Sequence, residues 1–189
     1  MAKTAGEKVE KHPPPVSAEV PSGDLAEPKK DRHQSGKLQV VEFLLGKEHY
    51  AIDLFDVREV VEYTSITKLP NTPSYMKGII DLRGEITTII DLKERLNILE
   101  KSDLPEENSR IIVLDEKITK AKTGIMVDDV LAVSTFERGD IDSTSASGAR
   151  QDAAILGIIK KKIKEKELER HTLIIWIDIR NLLQDMGEA

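Results

Sequence analysis

Asp128 and Asp129 are adjacent carboxylates, the first pair in this 189-residue chain that could serve acid–base chemistry. Such chemistry needs two groups converging on one substrate. Neighbours on a strand point to opposite faces, and this pair lies inside an apolar run, 123–136, that reads as strand. It is therefore read as one solvated carboxylate and one near a turn. The four histidines, His12, His33, His49 and His171, are scattered, without the close spacing that metal ligation requires. The chain has no cysteine, which excludes disulfides, thiolate nucleophiles and Cys-ligated metals. It also has no G-x-x-x-x-G-K-[ST] loop, no G-x-G-x-x-G and no G-x-S-x-G elbow. Trp176 sits in an apolar run and is assigned to the core. No catalytic, cofactor or metal site is expected.

Three charged features remain. Residues 160–171, "KKKIKEKELERH", hold six Lys or Arg against three Glu. One reading is a nucleic-acid patch. The interspersed glutamates, the lack of aromatics and a net charge of −6 favour a solvated hairpin. Glu59 follows Val57-Arg58 in a stretch otherwise apolar. It reads equally as an exposed carboxylate and as a partner for Arg83 or for a basic group on another protein. The third feature is "GIIDLRGEITTIIDL", residues 78–92, two short strands folded around Arg83-Gly84. The tight turn needs Gly84, because glycine takes positive φ without steric cost. It does not need an arginine, and that isolates Arg83 as a functional candidate.

The elements that must position these residues follow from pattern. Residues 1–36 carry five of the eight prolines and few apolar residues, so a disordered tail is expected. No run approaches the ~20 apolar residues of a membrane helix, and no signal-peptide core is visible; a soluble, cytoplasmic protein is expected. The folded region is placed at 37–186. Strands are expected at 38–45, 49–54, 110–116, 123–136, 154–159 and 172–178, and 143–150 reads as a small-residue loop. Residues 55–63 are compatible with either a helix or a bent strand. For 71–78 one helical turn is expected, with Thr72 as N-cap, Pro73 at the first helical position and Gly78 closing it. Asp91 is expected to cap a short helix at 92–96, Glu94 completing a capping box. Asp178 stands in the same relation to 179–183.

The chain also matches itself. Gly78-Ile79-Ile80 aligns with Gly157-Ile158-Ile159, and "IIDLKERL" (89–96) with "WIDIRNLL" (176–183). Upstream, "AIDLFDVREVV" (51–61) aligns with "GIMVDDVLAVS" (124–134). Two similar β subdomains of about 70 residues are expected, each marginal alone and stabilised by packing on the other.

Five stretches, "VVEFLLGKEHYAIDLFDVREVVEY", "LPNTPSYMKGIIDLRGEITTIIDLKERL", "RIIVLDE", "TGIMVDDVLAV" and "ILGII…TLIIWIDIRNLL", resemble the CheW family of chemotaxis adaptors. They span nearly all of 38–184, and the series from Asn71 through Leu82-Arg83-Gly84 to Leu92 is the most specific part. The resemblance implies a mostly β fold, with two SH3-like five-stranded barrels packed together and short helices at connections and the C-terminus. It implies no catalysis and no cofactor. The implied partners are the cytoplasmic tips of chemoreceptors and the regulatory domain of the histidine kinase CheA, in arrays at the inner face of the membrane. Glu59 and Arg83 match residues of the family's interaction surface, with Gly84 beside Arg83, and Val57 and Gly78 match positions near its receptor-binding groove. Three departures are Thr88, where the family usually has proline, the long segment 160–171, and the tail.

Overall fold

The computed structural model describes residues 36–100, 105–119, 121–143, 154–165 and 168–184. The expected tail, apart from Gly36, and the expected loop at 143–150, apart from Ser143, lie outside the described residues. The chain runs through β1 (Lys37–Leu45), β2 (Glu48–Asp53), β3 (Val57–Glu62), β4 (Met76–Leu82), β5 (Glu85–Asp91) and helix α1 (Leu92–Arg95). It continues through β6 (Arg110–Leu114), β7 (Thr123–Val127), β8 (Asp129–Glu137), β9 (Ile141–Asp142), β10 (Ile155–Glu165), β11 (Leu168–Ile177) and helix α2 (Ile179–Leu182).

These strands form two sheets within one compact unit. One has the order β8-β1-β2-β11-β10-β9 and the other β3-β6-β7-β5-β4. Strand for strand they correspond, except that the first gains a sixth, two-residue member in β9. Each sheet holds one parallel pair at the equivalent place, β2 with β11 and β5 with β7. The repeat is therefore real, but its halves do not fold as consecutive blocks. β1 and β2 leave the first half to join β8–β11, while β6 and β7 leave the second to join β3–β5. The self-matching segments 51–61 and 124–134 are the two places where the chain passes between sheets.

This exchange explains the core. A central cluster draws Val41, Phe43 and Ile52 from one sheet, Ile90, Ile112 and Ile125 from the other, and Leu92, Ile179 and Leu182 from the helices. The opposite faces enclose smaller private clusters, Leu38, Val40, Ile159 and Ile174 in one sheet and Ile80, Ile89, Ile111 and Val113 in the other. β1 is covered on both faces, so its run from Val40 to Phe43 is buried throughout. One residue of that run is Glu42, whose carboxylate takes both its contacts, at 2.8 Å, from the Lys161 ammonium. Trp176 packs against the private cluster of its sheet, as expected of a core residue.

Two local expectations are corrected. Residues 55–63 form no helix beyond the single 3-10 turn at Leu54–Asp56. From Val57 onward burial alternates, leaving Val60 41% exposed, so the β-branched run behaves as strand. At 71–78 there is no helix either. Met76 donates back to the Pro73 carbonyl at 2.9 Å, a single turn, and β4 begins at once. The Thr72 hydroxyl donates backward to Leu69 O instead of capping forward. Gly78 does not close a helix but sits within β4 at φ 145°, where an added Cβ would lie 2.2 Å from the Thr67 carbonyl oxygen.

The caps hold, with one change. Asp91 Oδ1 accepts from Lys93 and Glu94 backbone N–H groups, and Asp178 Oδ1 from Arg180 and Asn181. The Asp91 N–H is given to Tyr75 O at 2.7 Å, so Glu94 has no donor with which to complete a capping box.

Candidate functional site

β4 and β5 meet at Arg83-Gly84, where φ is +55° and +84°. Two successive positive φ values describe the two-residue turn that matches strand twist. Gly84 adopts this conformation freely, whereas an arginine there opposes its own preference. The Asp81 carboxylate fastens the turn by accepting the Gly84 N–H at 2.6 Å. Arg83 thus projects from a rigid tip, with its side chain 77% exposed.

β3 brings Glu59 to the same place. Arg83 Nη2 lies 3.0 Å from Glu59 Oε2, the carboxylate being 24% exposed. Of the two readings of Glu59, the partner of Arg83 is the one the geometry supports. The β3–β6 pairing shifts register between Val57 and Glu59. Around the pair lie ions that sequence spacing does not connect. Arg58 Nη1 donates to Glu116 Oε1 at 2.6 Å, and Lys122 contacts Glu85 and, at 3.5 Å, Glu116. The hydrogen bond and charge of Lys122 hold the Glu85 carboxyl below its ordinary range. Three cations and three carboxylates make this end of the sheet polar and nearly neutral, with Val60 and Ile86 exposed on the strands that bear it.

Of the five residues singled out, Glu59, Arg83 and Gly84 come together. Val57 stands opposite Leu114 and packs on the central cluster, and Gly78 abuts Thr67 beyond the opposite end of β4 from the turn. Arg58, Glu85, Glu116 and Lys122 left no signal in the sequence, being joined only by the sheet.

A second set of charges was legible in the repeat but went unread. Lys93 and Arg180 occupy equivalent positions, two residues after Asp91 and Asp178. Lys93 Nζ donates to Asp128 at 2.6 Å, and Arg180 Nε to Asp56 at 2.9 Å. Each helix therefore grips one crossover between the sheets. Asp128, 4% exposed, also accepts the Gly46 N–H at 2.6 Å. Asp129 accepts its own Val130 N–H. The expectation of one solvated carboxylate is corrected: Asp128 is buried because two donors satisfy it, and Asp129 is half-buried. Among the described residues no group of His, Asp or Glu is placed to hold a metal ion, and no helix is long and apolar enough to cross a membrane.

Two groups set an alkaline limit. Burial would pull the Lys77 ammonium down, but Glu106 and Asp91 outweigh it and raise its pKa. Burial, then Glu48 and Glu100, raise that of the Tyr50 hydroxyl. With both raised in the fold, the unfolded chain releases these protons first as pH climbs. Their stabilisation is whole below about pH 10 and is lost as pH rises through the folded values. Melting midpoints should fall above about pH 10, less steeply in Tyr50→Phe. An equal slope in the variant would remove Tyr50 from this account.

Comparison with known proteins agrees with this architecture. Residues 39–186 match the model of the CheW-like domain. A probable chemotaxis protein CheW from Rhizobium etli is 31% identical over 138 residues, covering 71% of this chain and 86% of that one. The chemotaxis protein CheW of Klebsiella aerogenes is 31% identical over 144 residues, with 75% and 78% covered. The crystal structure of the scaffolding protein TtCheW from Thermoanaerobacter tengcongensis superposes with a TM-score of 0.63 at 35% identity, covering 80% of this chain and 95% of that one. The fold, its two packed β subdomains and the Arg83 hairpin place the chain in the CheW-like family.

Proposed function

We propose that this protein is a chemotaxis adaptor that joins the cytoplasmic tips of chemoreceptors to the histidine kinase CheA, so that receptor state governs autophosphorylation. The observation that carries this reading is the Arg83–Glu59 pair at a rigid tip. The fold does not need it, since an ion pair so exposed contributes about 0–1 kcal/mol to stability. A guanidinium held in place at no benefit to folding is suited to a partner. The protein acts without catalysis, from the cytoplasm, in receptor arrays. Val57 and Gly78 support the receptor-facing groove from beyond the tip. Nothing in the geometry or the relatives favours a nucleic-acid module at 160–171.

Arg83→Ala is expected to melt within about 1 kcal/mol of the parent. It is expected to lose roughly 1.5–3 kcal/mol of binding, about ten- to a hundredfold, to receptor or kinase fragments. Glu59→Ala should weaken receptor binding and couple to Arg83→Ala in a double-mutant cycle. Gly84→Val should instead lower stability first, because φ is positive there. Titration of each variant against both fragments, beside its melting curve, separates these outcomes. Normal binding of both fragments by Arg83→Ala would leave the tip merely solvated. Added alone, the protein should transfer no phosphate; added to receptor and kinase, it should change kinase activity.

A further inference from the structure

β10 and β11 pair continuously from Gly157↔Trp176 to Glu165↔Leu168. Other strands reach only their roots: β9 meets β10 at Ile158 and Ile159, and β2 meets β11 at Ile174–Trp176. Beyond that, Lys160 to Glu165 with Leu168 to Leu173 form a two-stranded ribbon, joined by no third strand among the described residues. Such a ribbon is marginal on its own. It is moored at its root by Lys161, whose ammonium holds the buried Glu42.

The internal repeat shows that folding does not require this extension. β10–β11 is the counterpart of β4–β5. Both hairpins shift register just before the matching glycines, Gly157 and Gly78, and both lead into an aspartate-capped helix. The counterpart closes at Arg83-Gly84; the ribbon runs on. It carries six Lys or Arg against three Glu, in a chain whose net charge is −6. Lys160, Lys162 and Lys164 occupy alternate positions, one face of β10, opposite Leu173, His171 and Glu169. Lys160 and Lys162 are exposed, and Leu173 is 56% exposed.

We propose that the ribbon is a second docking element, separate from the Arg83 tip, and that it takes an extended acidic polypeptide segment of a partner protein. An unpaired strand edge offers backbone N–H and C=O groups to a peptide laid alongside it. The lysine row selects carboxylates at every second residue of such a peptide, and Leu173 supplies an apolar contact. Nucleic acid fits less well, because 160–171 has no aromatic residue on which a base could stack and places three glutamates among the cations.

The probe is a fluorescent synthetic peptide alternating Glu and Thr, as long as one ribbon strand, followed by anisotropy against the full chain. Binding is expected at about 50 mM salt and should weaken severalfold at about 300 mM. The double variant K160E/K162E should bind at least tenfold more weakly while melting like the parent, since both lysines are exposed and Lys161 is untouched. A peptide of equal charge with Pro in place of Thr, unable to pair with an edge, should also bind at least tenfold more weakly. Arg83→Ala should bind the probe normally, which separates this site from the tip. Unchanged binding by K160E/K162E, or equal binding of the Pro peptide, would overturn the proposal. So would a K160E/K162E defect confined to duplex DNA or to phosphatidylserine vesicles.

Discussion

Gly78→Ala is expected to remove most of the protein's stability, about 4 kcal/mol or more out of the ~5–15 typical of a domain. An alanine at φ 145° is strained by about 1–3 kcal/mol before any contact is counted. Its Cβ would then stand 2.2 Å from Thr67 O, 2.9 Å from Thr67 C and 2.8 Å from Ile66 Cγ2. The obstacle is backbone, so it cannot turn aside as a side chain would. It moves only by breaking the two 2.9 Å hydrogen bonds that pair Thr67 with Ile79, each worth about 1 kcal/mol. Gly84→Ala is the control, since φ there is also positive but no atom lies within 4 Å of the added Cβ; it should lose about 1 kcal/mol. Urea melts of the two variants decide the matter. If Gly78→Ala melts like Gly84→Ala, the approach of Thr67 does not limit this position. If it does not, loss of partner binding in Gly78→Ala reports the fold and not a contact.

The second large effect belongs to Glu42, which is 1% exposed and accepts both its bonds from Lys161. Lys161→Ala leaves a carboxylate in the sheet interior with its printed donor gone, and breaking a buried pair this way typically destabilises by about 3–5 kcal/mol. The Lys161 side chain is 32% exposed, so water softens the loss and the lower end, about 3 kcal/mol, is expected. Glu42→Gln should cost less, since the ammonium it frees reaches solvent. The double change Glu42→Leu with Lys161→Met should lie closest to the parent, because it leaves no unpaired charge. The order of the three melting midpoints checks this. A Lys161→Ala variant as stable as Glu42→Gln would show that the Glu42 carboxylate finds water or another donor.

How far this was legible in the sequence depended on range. Asp91, Asp178 and Gly84 act through bonds to residues two or three away, and their roles could be read from local pattern. Short strands read correctly where apolar residues alternate or run together. At 55–63 the valines fit two periods, and only pairing with β6 decides for strand. At 71–78 the Thr-Pro signal was sound for a helix start, yet Tyr75 O is claimed by the Asp91 N–H and the chain is drawn into β4. The repeat was visible; that its halves trade strands was not, because apolar pattern does not say which sheet a strand joins. The candidate site divided the same way. Arg83 stood out by being unnecessary to its turn, whereas Arg58 and Glu116, or Lys122 and Glu85, meet only through tertiary pairing.

The traded strands have a consequence for how the molecule comes into being. During synthesis β1 and β2 emerge early, but β11, the parallel neighbour of β2, is almost the last strand made. The β3–β7 sheet is contiguous in the chain and can assemble while the remainder is still being added. The other sheet waits for the C-terminus, with Ile52 and Phe43 uncovered meanwhile. Pairings of such long separation make for slow closure, and a chain stopped before β10 would present apolar strand edges to its surroundings. Completion of the last thirty or so residues is therefore the event that turns a sticky nascent chain into a finished one.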